Sequence, residues 1–124
     1  VVPNVKDADS LSLIELAAAL NQLTATAREG RTQPAELTGG TFTITNVGVF
    51  GVDSGTPILN PGEAGILAVG AIKERPVVRH GEIVPAQMLG VTLACDHRIL
   101  YGAPAAEFLA RIRTLLEEPL SLAL

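Results

Sequence analysis

The run AGILAVGAIK, from Ala64 to Lys73, carries its only charge at its last position. It is far too short to span a bilayer, which takes roughly 18 or more apolar residues. It also shows no alternation of apolar and polar residues. An extended segment that is apolar on both faces belongs in the interior of a sheet covered on both sides, since neither face tolerates water. The rest of the chain must therefore supply flanking strands and layers over them. At 124 residues the chain has one domain's worth of material for this.

Those pieces are recognisable. Ser12-Leu13-Ile14-Glu15 has the Ser-x-x-Glu form of a capping box. Leu13, Leu16, Leu20 and Leu23, with Ala17 and Ala27, follow at helical spacing, and Gly30 is placed to end the helix after Arg28-Glu29. Thr41 to Val47 is rich in β-branched residues and predicts a strand. Residues 48–56 form a Gly-rich loop, continued through Pro57 to Pro61. Val77-Val78 and Ile83-Val84 flank Arg79-His80-Gly81 as a hairpin would, and Met88 to Cys95 predicts a further apolar strand. Pro104 suits a first helical turn; Ala105, Phe108, Leu109, Ile112, Leu115 and Leu116 share a face, and Pro119 stops the helix. The order helix, strand, strand, hairpin, strand, helix implies a mixed α/β or α+β layer fold.

Composition adds a constraint on association. The chain is 48% hydrophobic but only 3% aromatic, so its apolar mass is Leu, Val, Ile and Ala. A domain this small cannot hide that much apolar surface by itself, and a large subunit interface is the natural place for the excess. The net charge of −4 and the scattered Lys and Arg exclude a basic nucleic-acid face and a polybasic membrane patch. One cysteine, Cys95, excludes an intrachain disulfide and fits a reducing compartment. With no secretory signal at the start, the expected location is cytoplasmic. The opening Val1-Val2-Pro3 lacks Met and suggests a piece processed or excised from a longer chain.

The residues able to carry chemistry are few. His97, in Asp96-His97-Arg98-Ile99-Leu100-Tyr101-Gly102, stands where a buried strand ends and a helix is about to begin. A rigid strand end fixes a side chain while the next loop leaves it accessible, and a histidine there can act as a base near neutral pH. The plainer alternative is a turn histidine beside an ordinary Asp96–Arg98 ion pair. Thr43 and Thr45 share a face of their strand, and a hydroxyl there can donate to a developing oxyanion; β-propensity alone also explains both. Cys95 next to His97 raises a Cys–His pair, which requires extension to persist through 97. His80 reads as a solvated turn residue. The loop at 48–55 lacks a phosphate-binding pattern, and two His and one Cys so spread give no metal site.

Three segments together carry a resemblance that no single one would. Pro3 to Leu16 (PNVKDADSLSLIEL), Gly39 to Asn60 (GGTFTITNVGVFGVDSGTPILN), and Asp96 to Gly102 with the following Ala103 and AEFL resemble, in order and spacing, the dihydrolipoamide acyltransferase family of 2-oxo acid dehydrogenase complexes. The resemblance implies the C-terminal part of the catalytic domain over residues 1–124, an incomplete half of a fold similar to chloramphenicol acetyltransferase. The upstream half and the lipoyl and subunit-binding domains are absent from this sequence. It further implies homotrimers with sites at subunit interfaces, assembled into larger cores, often cubic, with 2-oxo acid decarboxylase and dihydrolipoamide dehydrogenase as partners. The implied reaction moves an acyl group between dihydrolipoamide, whose lipoyl group rides on a separate domain, and coenzyme A, with no metal. By the same resemblance His97 is the base that takes the coenzyme A thiol proton, and Thr45 the donor to the oxyanion; coenzyme A contacts are not assigned.

Tyr101 departs from the pattern. It stands four residues after the histidine, where the family has Asp or Asn. Its hydroxyl lies at the end of a rigid ring and cannot repeat the contacts of a short polar side chain, so the expectation is weakened catalysis. That departure sustains an alternative, a related scaffold subunit that does not turn over. A stand-alone acetyltransferase of the chloramphenicol type is a third reading, disfavoured by the Gly48 to Asn60 loop. The same loop leans towards a branched-chain acyl substrate, with acetyl and succinyl open.

Overall fold

The structure, a computed structural model, describes residues 1–123. The chain divides into two units, Val1–Gly40 with Ala110–Leu124, and Thr41–Leu109.

In the first unit, α1 spans Leu13–Arg28. Its start is the capping box predicted from sequence: the Ser12 hydroxyl accepts from Glu15 N at 3.2 Å and the Glu15 carboxylate accepts from Ser12 N at 2.8 Å. The Ser12 N–H holds the Glu15 carboxyl below its usual range. Gly30 ends the helix with φ 68°, a conformation that favours glycine. Of the expected stripe, Leu16, Leu23 and Ala27 are half-buried, while Leu13 and Leu20 are 60% and 51% exposed. The entry segment is tied to residues 33–38, with Asn4 N donating to the Glu36 carbonyl at 2.8 Å and the Asn4 amide donating to the Thr38 carbonyl at 3.1 Å.

The second unit is built on a three-stranded sheet of β1 (Phe42–Asn46), β2 (Gly65–Val69) and β5 (Val91–Cys95), in the order β1-β2-β5. β1 runs parallel to β2, and β5 antiparallel. The apolar run thus forms the central strand, as its two-sided pattern requires. Ile66, Leu67 and Ala68 are 6%, 6% and 4% exposed and, with Ala71, form the buried hydrophobic core among the described residues. The strand is shorter than expected, however. It stops at Val69 because the 48–53 loop crosses its end: Ala71 N donates to the Val52 carbonyl at 2.9 Å, and the Asp53 carbonyl is pressed against Gly70 where a side chain would sit. A side chain on Gly48 would likewise collide with the Gly70 carbonyl.

Lys73 belongs to β3 (Lys73–Arg79), which pairs with β4 (Glu82–Met88) in a separate two-stranded hairpin. This ladder is longer than Val77-Val78 and Ile83-Val84 alone suggested, and Pro76 faces Pro85 in it. The turn consists of His80 and Gly81, at φ 52° and 79°, the doubly left-handed geometry that suits tight hairpins. Met88 closes β4, so the expected 88–95 strand is two elements, with β5 starting at Val91. α2 spans Gly102–Glu117, with Pro104 in its first turn and Pro119 beyond its end, as expected. Phe108 of α2 meets Phe42 of β1 edge-on, ring centroids 5.9 Å apart. Gly65 leaves the space for that Phe42 ring; a Cβ there would lie 2.8 Å from Phe42 Cε2. No helix among the described residues is long and apolar enough to cross a membrane.

Candidate active site

His97 sits in a turn whose shape is set by its neighbour. β5 ends at Cys95; Asp96 N continues the ladder to the Ala64 carbonyl at 3.0 Å, and the chain then folds over. The Asp96 carboxylate accepts from the Arg98 backbone N–H at 3.0 Å and from the Arg98 guanidinium at 2.7 to 3.2 Å. The Asp96 carbonyl accepts from both Ile99 N and Leu100 N at 2.9 Å. An aspartate that bonds the backbone two residues ahead closes a turn of its own. Hydrogen bonds from the Arg98 guanidinium, then from the Arg98 backbone N–H, lower the Asp96 carboxyl to about 2. The guanidinium is correspondingly raised. The Asp96–Arg98 ion pair is therefore real, and it presents His97, between them in sequence, on the exposed side of the turn.

The aromatic neighbour of that imidazole is Tyr101, with ring centroids 5.5 Å apart and planes at 74°. The Tyr101 carbonyl accepts from Ala105 N at 3.0 Å, so this residue caps the start of α2 through its backbone. Among the described residues the Tyr101 hydroxyl makes no hydrogen bond, and the ring is 61% exposed. Cys95 does not join His97. It lies on the Phe42–Gly65 face of the sheet, its thiol 3.8 Å from the Leu100 carbonyl, and extension ends before residue 97, so the Cys–His arrangement is not formed. His80 is an exposed turn residue.

The two threonines share a face, as alternation predicts, but differ in use. The Thr43 hydroxyl donates to Glu63 Oε2 at 2.5 Å and accepts from the Asn60 amide at 3.1 Å. It is committed to holding the 57–63 segment. Thr45 is half-buried, and among the described residues its hydroxyl has no hydrogen bond, which leaves it able to donate to an incoming group. The Asn60 and Glu63 partners were not legible from sequence, since their pairing depends on the return path of a long loop. Nor was the clamp beyond the same strand end, where Asp53 binds Lys73 at 2.6 Å and Arg75 at 2.9 Å. Those hydrogen bonds, Lys73 first, hold the Asp53 carboxyl below its usual range.

Register separates Thr45 from His97. Thr45 aligns with Ala68 and Thr92, whereas Asp96 aligns with Ala64 and Thr41, at the other end of the sheet. At roughly 3.3 Å per residue along the strands and about 4.8 Å per strand across, Thr45 is on the order of 16 Å from Asp96, with His97 further on. One chain does not bring the two side chains to a common reacting atom. Among the described residues no group of three or more His, Cys, Asp and Glu is placed to hold a metal ion.

The family model for the 2-oxoacid dehydrogenases acyltransferase catalytic domain matches residues 1–124. The chain belongs to this acyltransferase family. Its relatives include the dihydrolipoyllysine-residue acetyltransferase component of the acetoin cleaving system of Bacillus subtilis, 52% identical over all of this chain and 31% of that protein. Another is the succinyltransferase component of the 2-oxoglutarate dehydrogenase complex of Bartonella vinsonii, 46% identical over 96% of this chain and 29% of that protein. Two solved structures superimpose over the whole chain at 35% identity, covering 51% of each solved chain. One, with a TM-score of 0.91, is the dihydrolipoamide acetyltransferase of Azotobacter vinelandii, described for the role of a serine, a histidine and an asparagine in its catalytic mechanism. The other, with a TM-score of 0.92, is the cubic core of a pyruvate dehydrogenase multienzyme complex. The chain spans about a third of the length of the curated acyltransferases it matches and about half of the solved chains.

Proposed function

We propose that this chain supplies both catalytic groups of a dihydrolipoamide acyltransferase, and that each site takes His97 from one copy and Thr45 from the next. The observation that carries the reading is the placement of an exposed, turn-held imidazole and an uncommitted hydroxyl at opposite ends of one sheet. In the Azotobacter protein the investigated serine precedes the histidine by as many residues as Thr45 precedes His97, and the asparagine follows it by four, as Tyr101 does here. The His97 base takes the proton from the coenzyme A thiol as its sulfur attacks the acyl thioester of dihydrolipoamide. The Thr45 hydroxyl of the neighbouring copy donates to the oxygen that becomes negative; as that oxygen reforms the carbonyl, the bond to the dihydrolipoamide sulfur breaks and the departing thiolate takes the proton back from His97. The lipoyl group arrives on a separate domain.

Exposure supports the shared site. His97 and Tyr101 lie open here, and acyl transfer needs water kept from the thioester. A homotrimer within a cubic core encloses such residues, and the exposed Ile44, Val49, Phe50 and Ile58 give the second unit apolar surface to bury in one. Partners would be the 2-oxo acid decarboxylase and dihydrolipoamide dehydrogenase of the same complex, in the cytoplasm. On the acyl group, the loop points towards branched-chain donors, while the two relatives carry acetyl and succinyl in their names. Parallel assays with acetyl, succinyl and isobutyryl donors on the assembled protein decide the substrate. His97→Ala must lower transfer by about 10²-fold or more from whichever donor is used; transfer near the parent rate in this variant would refute the reading. One residue favours a second reading: Tyr101, at the family's Asp/Asn position, fits a scaffold subunit that assembles and gives no transfer from any of the three donors.

A further inference from the structure

The acyltransferase reading leaves Tyr101 without a task, and the geometry around it supplies one. We propose that Tyr101 is a positioning residue: its ring, packed edge-to-face on the imidazole, holds His97 in its working orientation. The family's short polar side chain is replaced here by an aromatic contact. This inference rests on the acyltransferase reading of His97.

Both ends of the contact are launched from fixed backbone. His97 lies within the turn closed by the Asp96 carboxylate and carbonyl, and Tyr101 is tied into α2 through its carbonyl bond to Ala105 N. With both backbones fixed, only rotation about χ1 and χ2 is left to the imidazole. A ring centred 5.5 Å away at 74° occupies the space that some of those rotations need and stabilises the remaining one through aromatic edge-to-face packing. The Tyr101 hydroxyl has no hydrogen-bond partner among the described residues, so the ring and not the hydroxyl provides the support. That separates this role from the one a short amide plays. A carboxamide acts through its polar atoms, whereas the contact seen here survives loss of the phenolic oxygen. Tyr101→Phe should therefore behave as the parent, and Tyr101→Ala should not.

The test uses the full-length assembled protein as parent, Tyr101→Phe, Tyr101→Ala and Tyr101→Asn, with His97→Ala as reference. Light scattering and thermal unfolding confirm assembly of each. The expected result is an unchanged KM for coenzyme A throughout and an unchanged kcat for Tyr101→Phe. For Tyr101→Ala kcat falls by about 2- to 12-fold, the range that corresponds to one aromatic pair contact. A second readout does not depend on turnover. The rate at which diethylpyrocarbonate modifies His97, followed peptide by peptide with His80 as internal control, should rise in Tyr101→Ala and stay at the parent value in Tyr101→Phe. Equal His97 reactivity in parent and Tyr101→Ala overturns the contact. A parent-like kcat for Tyr101→Ala, or a higher one for Tyr101→Asn, overturns the positioning role and favours Tyr101 as a defect. If the parent gives no transfer while His97 reactivity still follows the ring, the acyltransferase reading fails, and positioning for transfer fails with it; the distinct signature identifies which step was wrong.

Discussion

Pairing two inactive variants tests the shared site directly. Thr45→Ala removes the proposed oxyanion donor and should lower kcat by about 10²- to 10³-fold, while His97→Ala removes the proposed base and should lower it by about 10²- to 10⁴-fold. Thr45 and His97 lie at opposite ends of one sheet, so under the proposed arrangement a site in a mixed assembly draws them from different copies. Co-expressed in equal amounts, the variants re-form an intact site wherever a Thr45→Ala copy gives its histidine to a neighbour carrying His97→Ala. With random mixing in a closed ring, each contributor is the right one half the time, so about a quarter of sites are restored. Turnover should then recover to about a quarter of the parent value, far above the residual rate of Thr45→Ala alone. Acyl transfer to coenzyme A is followed spectroscopically at the thioester, with subunit ratios checked by mass spectrometry. A mixture no more active than the average of the separately purified variants would refute the reasoning, since both groups would then come from one chain.

Other expectations concern the scaffold. Gly65→Ala places a Cβ 2.8 Å from Phe42 Cε2, so the ring must yield; a loss of about 1–3 kcal/mol in urea unfolding is expected, as for other overpacked sites. Ser12→Ala removes half of the capping box and should cost about 0.5–2 kcal/mol in α1, measured by thermal circular dichroism. The Asp96 carboxyl, lowered to about 2, stabilises the turn above its ordinary pKa, and that contribution is lost as pH falls through the folded value. The parent should therefore lose more stability than Asp96→Asn as pH drops from about 4 to about 2, where an unperturbed aspartate already titrates. Parallel unfolding curves for the two proteins over that range would contradict this.

What the sequence disclosed follows from the range of the forces involved. The capping box at Ser12, the Gly30 stop, the two-sided apolar strand and the closing helix are all local or period-based signals, and each was found where expected. The boundaries near Gly70 and Met88 were missed because non-local packing ends those strands: the 48–53 loop lies across β2, and the hairpin extends past its apolar residues. His97 could be singled out from its position at a strand end. That Thr43 is committed and Thr45 is not depended on Asn60 and Glu63, which reach Thr43 only once the loop has folded. Tyr101 read as a departure in sequence; only the placement of its ring shows what it touches.

The β3–β4 hairpin bears on the order in which this chain assembles. It is the connection between β2 and β5, and at its base Gly70 N donates to the Gly90 carbonyl at 2.8 Å. Hairpins close in about 1–10 μs, whereas pairing β2 with β5 unaided means closing a loop of some 20 residues. Zipping the hairpin first shortens the effective loop to a few residues, which lowers the closure entropy by about 1.5–2 kcal/mol. The left-handed pair His80-Gly81, at the far end of the hairpin, is therefore expected to set the pace at which the sheet closes. A substitution there that resists positive φ should slow refolding while leaving the rate of acyl transfer per folded molecule unchanged.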